Sequence, residues 1–185
     1  MKKIIPIAIM LTIFATGNAQ TITHARFILS RECNTFSSID LEINEKYLIS
    51  ISESGRIQYL ARKDGSDLFE EDCRELGIPI SFFDRSDIHD IPGLIKSIGG
   101  IQIAYNNRFD IHDVSGTIKS IGDIQIKYYN RFDLNDPKGK VKSVGNVLIK
   151  YYNSFDRDDW YGEIKSIEGN NSRLAVMGPV RRGWH

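Results

Sequence analysis

The chain lacks an excess of charge of either sign: its 185 residues carry 24 basic and 24 acidic side chains. Nucleic-acid binders advertise a strong Lys/Arg surplus, so a phosphate-backbone partner is excluded as a first expectation. It has two cysteines and no CxxC pair, which leaves neither a dithiol redox motif nor a thiolate metal cluster. Long apolar runs are missing too. The longest, Ile4–Ala15, covers 12 residues and contains Pro6, whereas a bilayer span takes roughly 20. No Ser or Cys nucleophile context or phosphate-binding glycine loop is present, so enzyme chemistry has no sequence anchor. A hydrophobic content of 41% and a mean hydropathy of −0.28 belong to a soluble globular chain.

The apolar run reads instead as part of a leader. Lys2 and Lys3 precede it, and Gly17-Asn18-Ala19 puts small residues at −3 and −1 of a signal-peptidase site, so residues 1–19 are expected to be removed after Ala19. The mature chain is then exported to the periplasm or the medium, with no membrane span. Losing Lys2 and Lys3 turns the even balance into a net charge of −2. In an oxidising compartment Cys33 and Cys73 are expected to pair. A bridge closing a loop of this size would remove on the order of 4 kcal/mol of unfolded-chain entropy. Two buried thiols are the alternative.

What the sequence has in abundance is repetition. Gly93, Gly116, Gly139 and Gly162 open segments that begin GLIKSIGGIQIAYNNRFD, GTIKSIGDIQIKYYNRFD, GKVKSVGNVLIKYYNSFD and GEIKSIEG, a period of 23 residues. Phe82, Arg85, Asp87 and Asp90 stand one period before Tyr105, Arg108, Asp110 and Asp113, so a half-unit begins near Ile78. Fixed self-similarity of this length means stacked supersecondary units. Within one unit Ile101, Ile103, Tyr105, Asn107 and Phe109 alternate with Gln102, Ala104, Asn106 and Arg108, the period of a strand with one wet face. The shorter Leu94–Ile98 is joined to it by Gly99-Gly100, and later units use Gly122-Asp123 and Gly145-Asn146, pairs suited to two-residue hairpin turns.

A parallel solenoid competes with a hairpin array. In a solenoid, equivalent lysines would stack about 4.8 Å apart; in hairpins they stand two strands apart, about 9.5 Å. Like charges directly opposite one another destabilise a sheet, so the columns of Lys96, Lys119, Lys142 and Lys165 favour hairpins. The fold class is therefore mainly β: an antiparallel sheet of 23-residue β-hairpin repeats. In period and hairpin logic the unit resembles a MORN repeat, although the Tyr-x-Gly signature of that family is absent. The units are similar to the GxIKSIGxIxIxYYxxFD arrays of small secreted bacterial proteins without a characterised activity. That resemblance spans residues 78–169 and implies no chemistry.

The flanks read as caps. Residues 20–77 hold alternation at Ile39, Leu41 and Ile43, a hairpin of Tyr47–Ser52 with Arg56–Ala61, and one short helix over 66–76, capped by Ser66 and ended by Gly77. Residues 170–185 supply a last strand near Arg173–Met177 and a tail.

Two sets of residues are candidates for function. The repeated loops carry Asp110, Asp113, Asp133, Asn135, Asp136, Asp156, Asp158 and Asp159, oxygen ligands whose spacing partly resembles a calcium loop. Turn-building by the same side chains is the competing reading. His89 and His112 sit in equivalent loops with flanking carboxylates, but identical copies point to geometry more than to a catalytic base. On the strands, Tyr105, Tyr128 and Tyr151 are assigned to the core. Tyr129 and Tyr152, beside Lys127, Lys150 and Arg131, are assigned to the wet face as a platform for a protein or glycan. The resulting expectation is an exported, monomeric, non-enzymatic repeat module that is structural or binds a protein or glycan. Its alternatives are a calcium-stabilised envelope protein and a hydrolase with a loop histidine base.

Overall fold

The computed structural model describes residues 20–52, 54–156 and 158–179, without the side chain of Asp158; the expected leader lies outside the described residues. In chain order the elements are β1 (Ile22–Leu29), β2 (Phe36–Ile43), β3 (Tyr47–Ile51), β4 (Ile57–Arg62), the helix α1 (Glu70–Glu75), β5 (Ile80–Phe82), β6 (Ile95–Ile98), β7 (Ile101–Tyr105), β8 (Ile118–Ile121), β9 (Ile124–Tyr128), β10 (Val141–Val144), β11 (Val147–Tyr151), β12 (Ile164–Glu168) and β13 (Leu174–Met177). The chain is mainly β, and the repeats are hairpins. They form an eight-stranded sheet in the order β12-β11-β10-β9-β8-β7-β6-β5, antiparallel throughout.

Each tight turn places a glycine at positive φ in its first position: Gly99 at 56°, Gly122 at 57° and Gly145 at 55°. Asp123 and Asn146, which follow two of them, do not share it. Those two turns follow the type II′ pattern, whereas Gly100 follows Gly99 at φ 85°, the two positive values of a type I′ turn; both types match the twist of the flanking strands.

The first strand of each unit carries its two inward aliphatics three residues apart, at Ile95 and Ile98, Ile118 and Ile121, Val141 and Val144, and all six are buried. Regular alternation forbids this. A bulge resolves it: Ser120 pairs with Ala104 but Ile118 with Tyr105, so Lys119 has no opposite number. Lys96, Lys142 and Lys165 occupy the same position in their own ladders. The extra residue restores both aliphatics to one face and re-aims the lysine.

The two flanks do not sit at separate ends of the array. β1 to β4 and β13 make one five-stranded sheet, ordered β13-β1-β2-β3-β4, with β13 parallel to β1. The inner faces of the two sheets share one core, in which Phe27, Leu29, Phe36, Ile39 and Leu41 meet the repeat isoleucines. The molecule is thus a two-layer sandwich rather than a single exposed sheet. The Val141 N–H donates to the Cys33 carbonyl (3.0 Å), fixing the β1–β2 turn over β10. Among the side chains, Arg173 reaches across to Asp123 (2.9 Å).

Two expectations about the flank are corrected. The helix spans Glu70–Glu75, not 66–76, because Ser66 is held in a turn by Asp64, and the chain enters the helix only where Asp72 accepts the Phe69 N–H (2.9 Å). Its end is as expected. Gly77 takes φ 76°, and the N–H groups of Gly77 and Ile78 return to Arg74 and Cys73, the six-to-one and five-to-two bonds of a Schellman stop. The second correction concerns the cysteines. Cys33 and Cys73 are both free thiols and both buried. Cys33 lies against β10, whereas Cys73 is on the helix beside β5, five strands away along the sheet. At about 4.8 Å per strand that is roughly 24 Å, far outside the reach of a disulfide.

Candidate functional site

The features that distinguish this surface gather on the long loops β5–β6, β7–β8, β9–β10 and β11–β12, which project from one end of the repeat sheet. Their shape follows from one motif. In the second loop the Asn107 side-chain oxygen accepts the Phe109 N–H (3.0 Å), and one Asp110 carboxylate oxygen accepts the Asn107 N–H (3.0 Å). The same bonds recur at Asn130, Phe132 and Asp133, and at Asn153, Phe155 and Asp156. These turns stop the strand at Tyr105, so Phe109, expected to extend the inward alternation, leaves the sheet.

The second oxygen of each aspartate takes the bulged lysine. Asp87–Lys96 measures 2.7 Å, Asp110–Lys119 2.5 Å, Asp133–Lys142 2.5 Å and Asp156–Lys165 2.7 Å. The lysine partner and the loop N–H hold Asp87, Asp110 and Asp156 below the usual aspartate range. At Asp133 burial opposes the shift, yet the bonds from Lys142 and Asn130 prevail and the net direction is again downward. Three of the lysines also lie over a ring on the same strand system: Lys96 over Phe83 (5.4 Å), Lys142 over Tyr129 (5.1 Å) and Lys165 over Tyr152 (5.4 Å).

Successive loops lean on one another. His89 meets Phe109 edge-on at 5.0 Å, His112 meets Phe132 at 4.8 Å, and Ser154 bonds to Asn135 through both backbone and side chain. Arg108 and Arg131 cover one face of Phe109 and Phe132 at 4.9 and 5.0 Å. What remains outside is a ridge of apolar tips: Ile111 is 72% exposed, Phe132 65%, Leu134 82% and Phe155 80%. Ile88 and Phe109, 72% and 62% exposed, add to these tips on the neighbouring loops. Between the second and third loops lies a groove of about 400 Å³ bordered by His112, Asp113, Tyr128, Arg131 and Lys138.

The candidates from the sequence are distributed differently from expectation. Tyr129 is buried: its hydroxyl donates to the Ile149 carbonyl (3.1 Å) and its ring packs edge-on against Tyr151 at 5.8 Å. It follows the end of β9, where alternation no longer governs which way a side chain faces. Tyr152 is half-buried against Trp160 at 5.0 Å. Lys127 is exposed on the outer face, Lys150 pairs with Glu168 at 3.0 Å, and Arg131 stands apart on the loops. The five residues therefore make no common platform. Tyr105, Tyr128 and Tyr151 are in the core as assigned.

Among the calcium candidates, Asp110, Asp133 and Asp156 spend both oxygens on lysine and backbone. Asp136 and Asn135 accept bonds from Asn153 and Ser154, and Asp159 is exposed. Asp113 borders the groove, and the side chain of Asp158 lies outside the described residues. Among the described residues no three His, Cys, Asp or Glu converge as a metal-holding group. The loop phenylalanines are the functional candidates that periodicity alone missed. Their signal was apolar residues recurring inside otherwise polar loops.

No known family, curated protein or solved structure matches the chain. The loop ridge must be read from its own chemistry.

Proposed function

We propose that the chain is an exported, non-enzymatic repeat module that docks a protein surface through the loop ridge. The observation that carries this reading is the line of exposed Ile, Leu and Phe tips, because a soluble chain gains nothing by leaving such a patch in water. The ridge is also preorganised. Asparagine turns and lysine–aspartate pairs fix each loop, and neighbouring loops brace one another, so little order has to be gained on binding. The leader-like segment at residues 1–19 supports export. A protein is favoured over a glycan because half of the tips are branched aliphatics, which offer a sugar ring no flat face. The non-enzymatic reading draws support from His89 and His112, each packed against a phenylalanine.

The test compares the mature chain with a Phe109→Ser/Phe132→Ser/Phe155→Ser variant in crosslinking and capture from envelope extracts. The expected outcome is a folded variant, its melting midpoint lowered only by the lost loop contacts, and loss of the captured species. Equal capture by both proteins would overturn the proposal.

A further inference from the structure

Among the described residues the repeat sheet ends on β5, with α1 packed beside it, and on β12, which has no such neighbour. Its plan is a first strand, a tight turn and a second strand. In each complete unit the second strand covers the turn-side edge of the first, and its tyrosine donates to that strand's opening carbonyl. Tyr105 reaches the Ile95 carbonyl (3.1 Å), Tyr128 that of Ile118 (2.9 Å) and Tyr151 that of Val141 (2.9 Å), each ten residues apart. β12 is the first strand of a unit whose second strand is missing. The residue ten places after Ile164 is Leu174, which lies in β13 and pairs with β1 in the other sheet.

The consequence is visible in the burial of identical sequences. Ile95, Ile98, Ile118 and Ile121 are 0–1% exposed, but Ile164 and Ile167 in the same I-K-S-I segment are only partly buried. In an antiparallel ladder the residue flanking a tight turn points both N–H and C=O at its hairpin partner. Ile167 holds that place, and among the described residues β12 has β11 as its one neighbour in the sheet. The opposite end differs. There α1 stands one period before the first strand of the array, and it packs beside β5, whose entry carries Pro79. Helix covering is a known device for closing an edge, and among the described residues β12 has none.

We infer that β12 is a strand-addition site for an extended peptide of alternating pattern, aliphatic-x-aliphatic-x-Tyr, supplied by another protein and bound antiparallel. The chemistry of the occupant is set by the array itself, because the ladder would continue with the contacts it makes in its three complete hairpins. Main-chain bonds would supply affinity, and contacts with the partly buried Ile164 and Ile167 would select the aliphatics. A second copy is a poorer occupant, since its strands of this pattern, β7, β9 and β11, are paired on both edges, and β5 at the array's start ends in Phe82 and lies beside α1. This site is separate from the loop ridge and does not rest on it.

The test uses the mature chain and a labelled peptide with the sequence of residues 122–130, GDIQIKYYN. Saturable binding is expected, with slowed hydrogen exchange at the Ile167 amide. A peptide with phenylalanine at the place of Tyr128 should bind roughly threefold to tenfold more weakly, the loss of one hydrogen bond. The Ile167→Pro variant removes the outward N–H and should not bind, and a thermal melt of it reports that the fold is retained. Should that variant unfold, the exchange of the Ile167 amide in the unmodified chain decides. No binding, binding to a scrambled peptide, or unchanged exchange at Ile167 would each overturn the inference. So would binding seen only after deletion of residues 180–185, or a concentration-dependent dimer that the peptide cannot displace.

Discussion

The three buried tyrosines offer a stability test that the repeat makes unusually clean. Replacing Tyr128 by phenylalanine keeps the ring in the core and deletes one hydroxyl, leaving the Ile118 carbonyl without its donor. The net cost of such a loss is about 1 kcal/mol, rising toward about 1.5 because the acceptor stays buried. For a domain of this size that lowers the melting midpoint by roughly 2–5 °C. Tyr105 and Tyr151 make the same bond in units two strands away, about 9.6 Å, where separate substitutions add. The triple Tyr→Phe variant should therefore lose about 3–4 kcal/mol, or roughly 10 °C. Burial also pushes all three phenols above their ordinary value of 10.0. A native pKa above the unfolded one means that the neutral tyrosine contributes stability below pH 10, and that this is lost as pH rises beyond it. Melts followed by circular dichroism from neutral to strongly alkaline pH, with ultraviolet titration of the phenols, measure both effects. Single variants as stable as the parent, or a triple variant that loses no more than one single, would refute the carbonyl-anchor reasoning.

Further outcomes follow from the same geometry. A thiol titration of the denatured, unreduced protein should count two free cysteines, and reductant should leave the melting midpoint where it is. The aspartates held by Lys96, Lys119, Lys142 and Lys165 have native values below the ordinary 3.8, so their contribution is present above that pH and is lost as acid protonates them in the fold. Acid melts of the parent and of a Lys119→Met/Lys142→Met variant should converge below pH 3.8, and a constant gap at all pH values would sink this account. Gly145→Ala should cost about 1–2 kcal/mol in a denaturant titration, because the residue holds φ 55° and a new Cβ would stand 2.8 Å from Leu174. Millimolar calcium followed by EDTA should leave the midpoint unchanged, since Asp110, Asp133 and Asp156 are already occupied by lysine.

Periodicity carried most of the fold into the sequence. The 23-residue spacing, the glycine pairs and the alternation over Ile101–Tyr105 are local properties, and hairpins are local structures, so β6 to β11 follow from the sequence itself. The bulge went unread, although Ile95 and Ile98 stand at a spacing that no regular strand can bury on one face. What could not be read was long-range. Nothing in Leu174–Met177 announces a parallel partner at Ala25–Ile28, and a pair of cysteines does not state which strands separate them. The site failed for a related reason. Alternation assigns Tyr129 to the wet face only while the strand continues, and the asparagine turn that ends it belongs to the loop.

The parallel pairing of β1 with β13 bears on how the chain reaches this fold. Phe27 and Val176 are partners although nearly the whole described chain lies between them. Hairpins of the array can close as soon as each is made, whereas the outer edge of β1 stays uncovered until the final strand exists. The N-terminal sheet is thus the first part to be synthesised and the last to be finished. A chain interrupted before Leu174 would hold a nearly complete repeat array above an N-terminal sheet with one edge open, the species most exposed to aggregation.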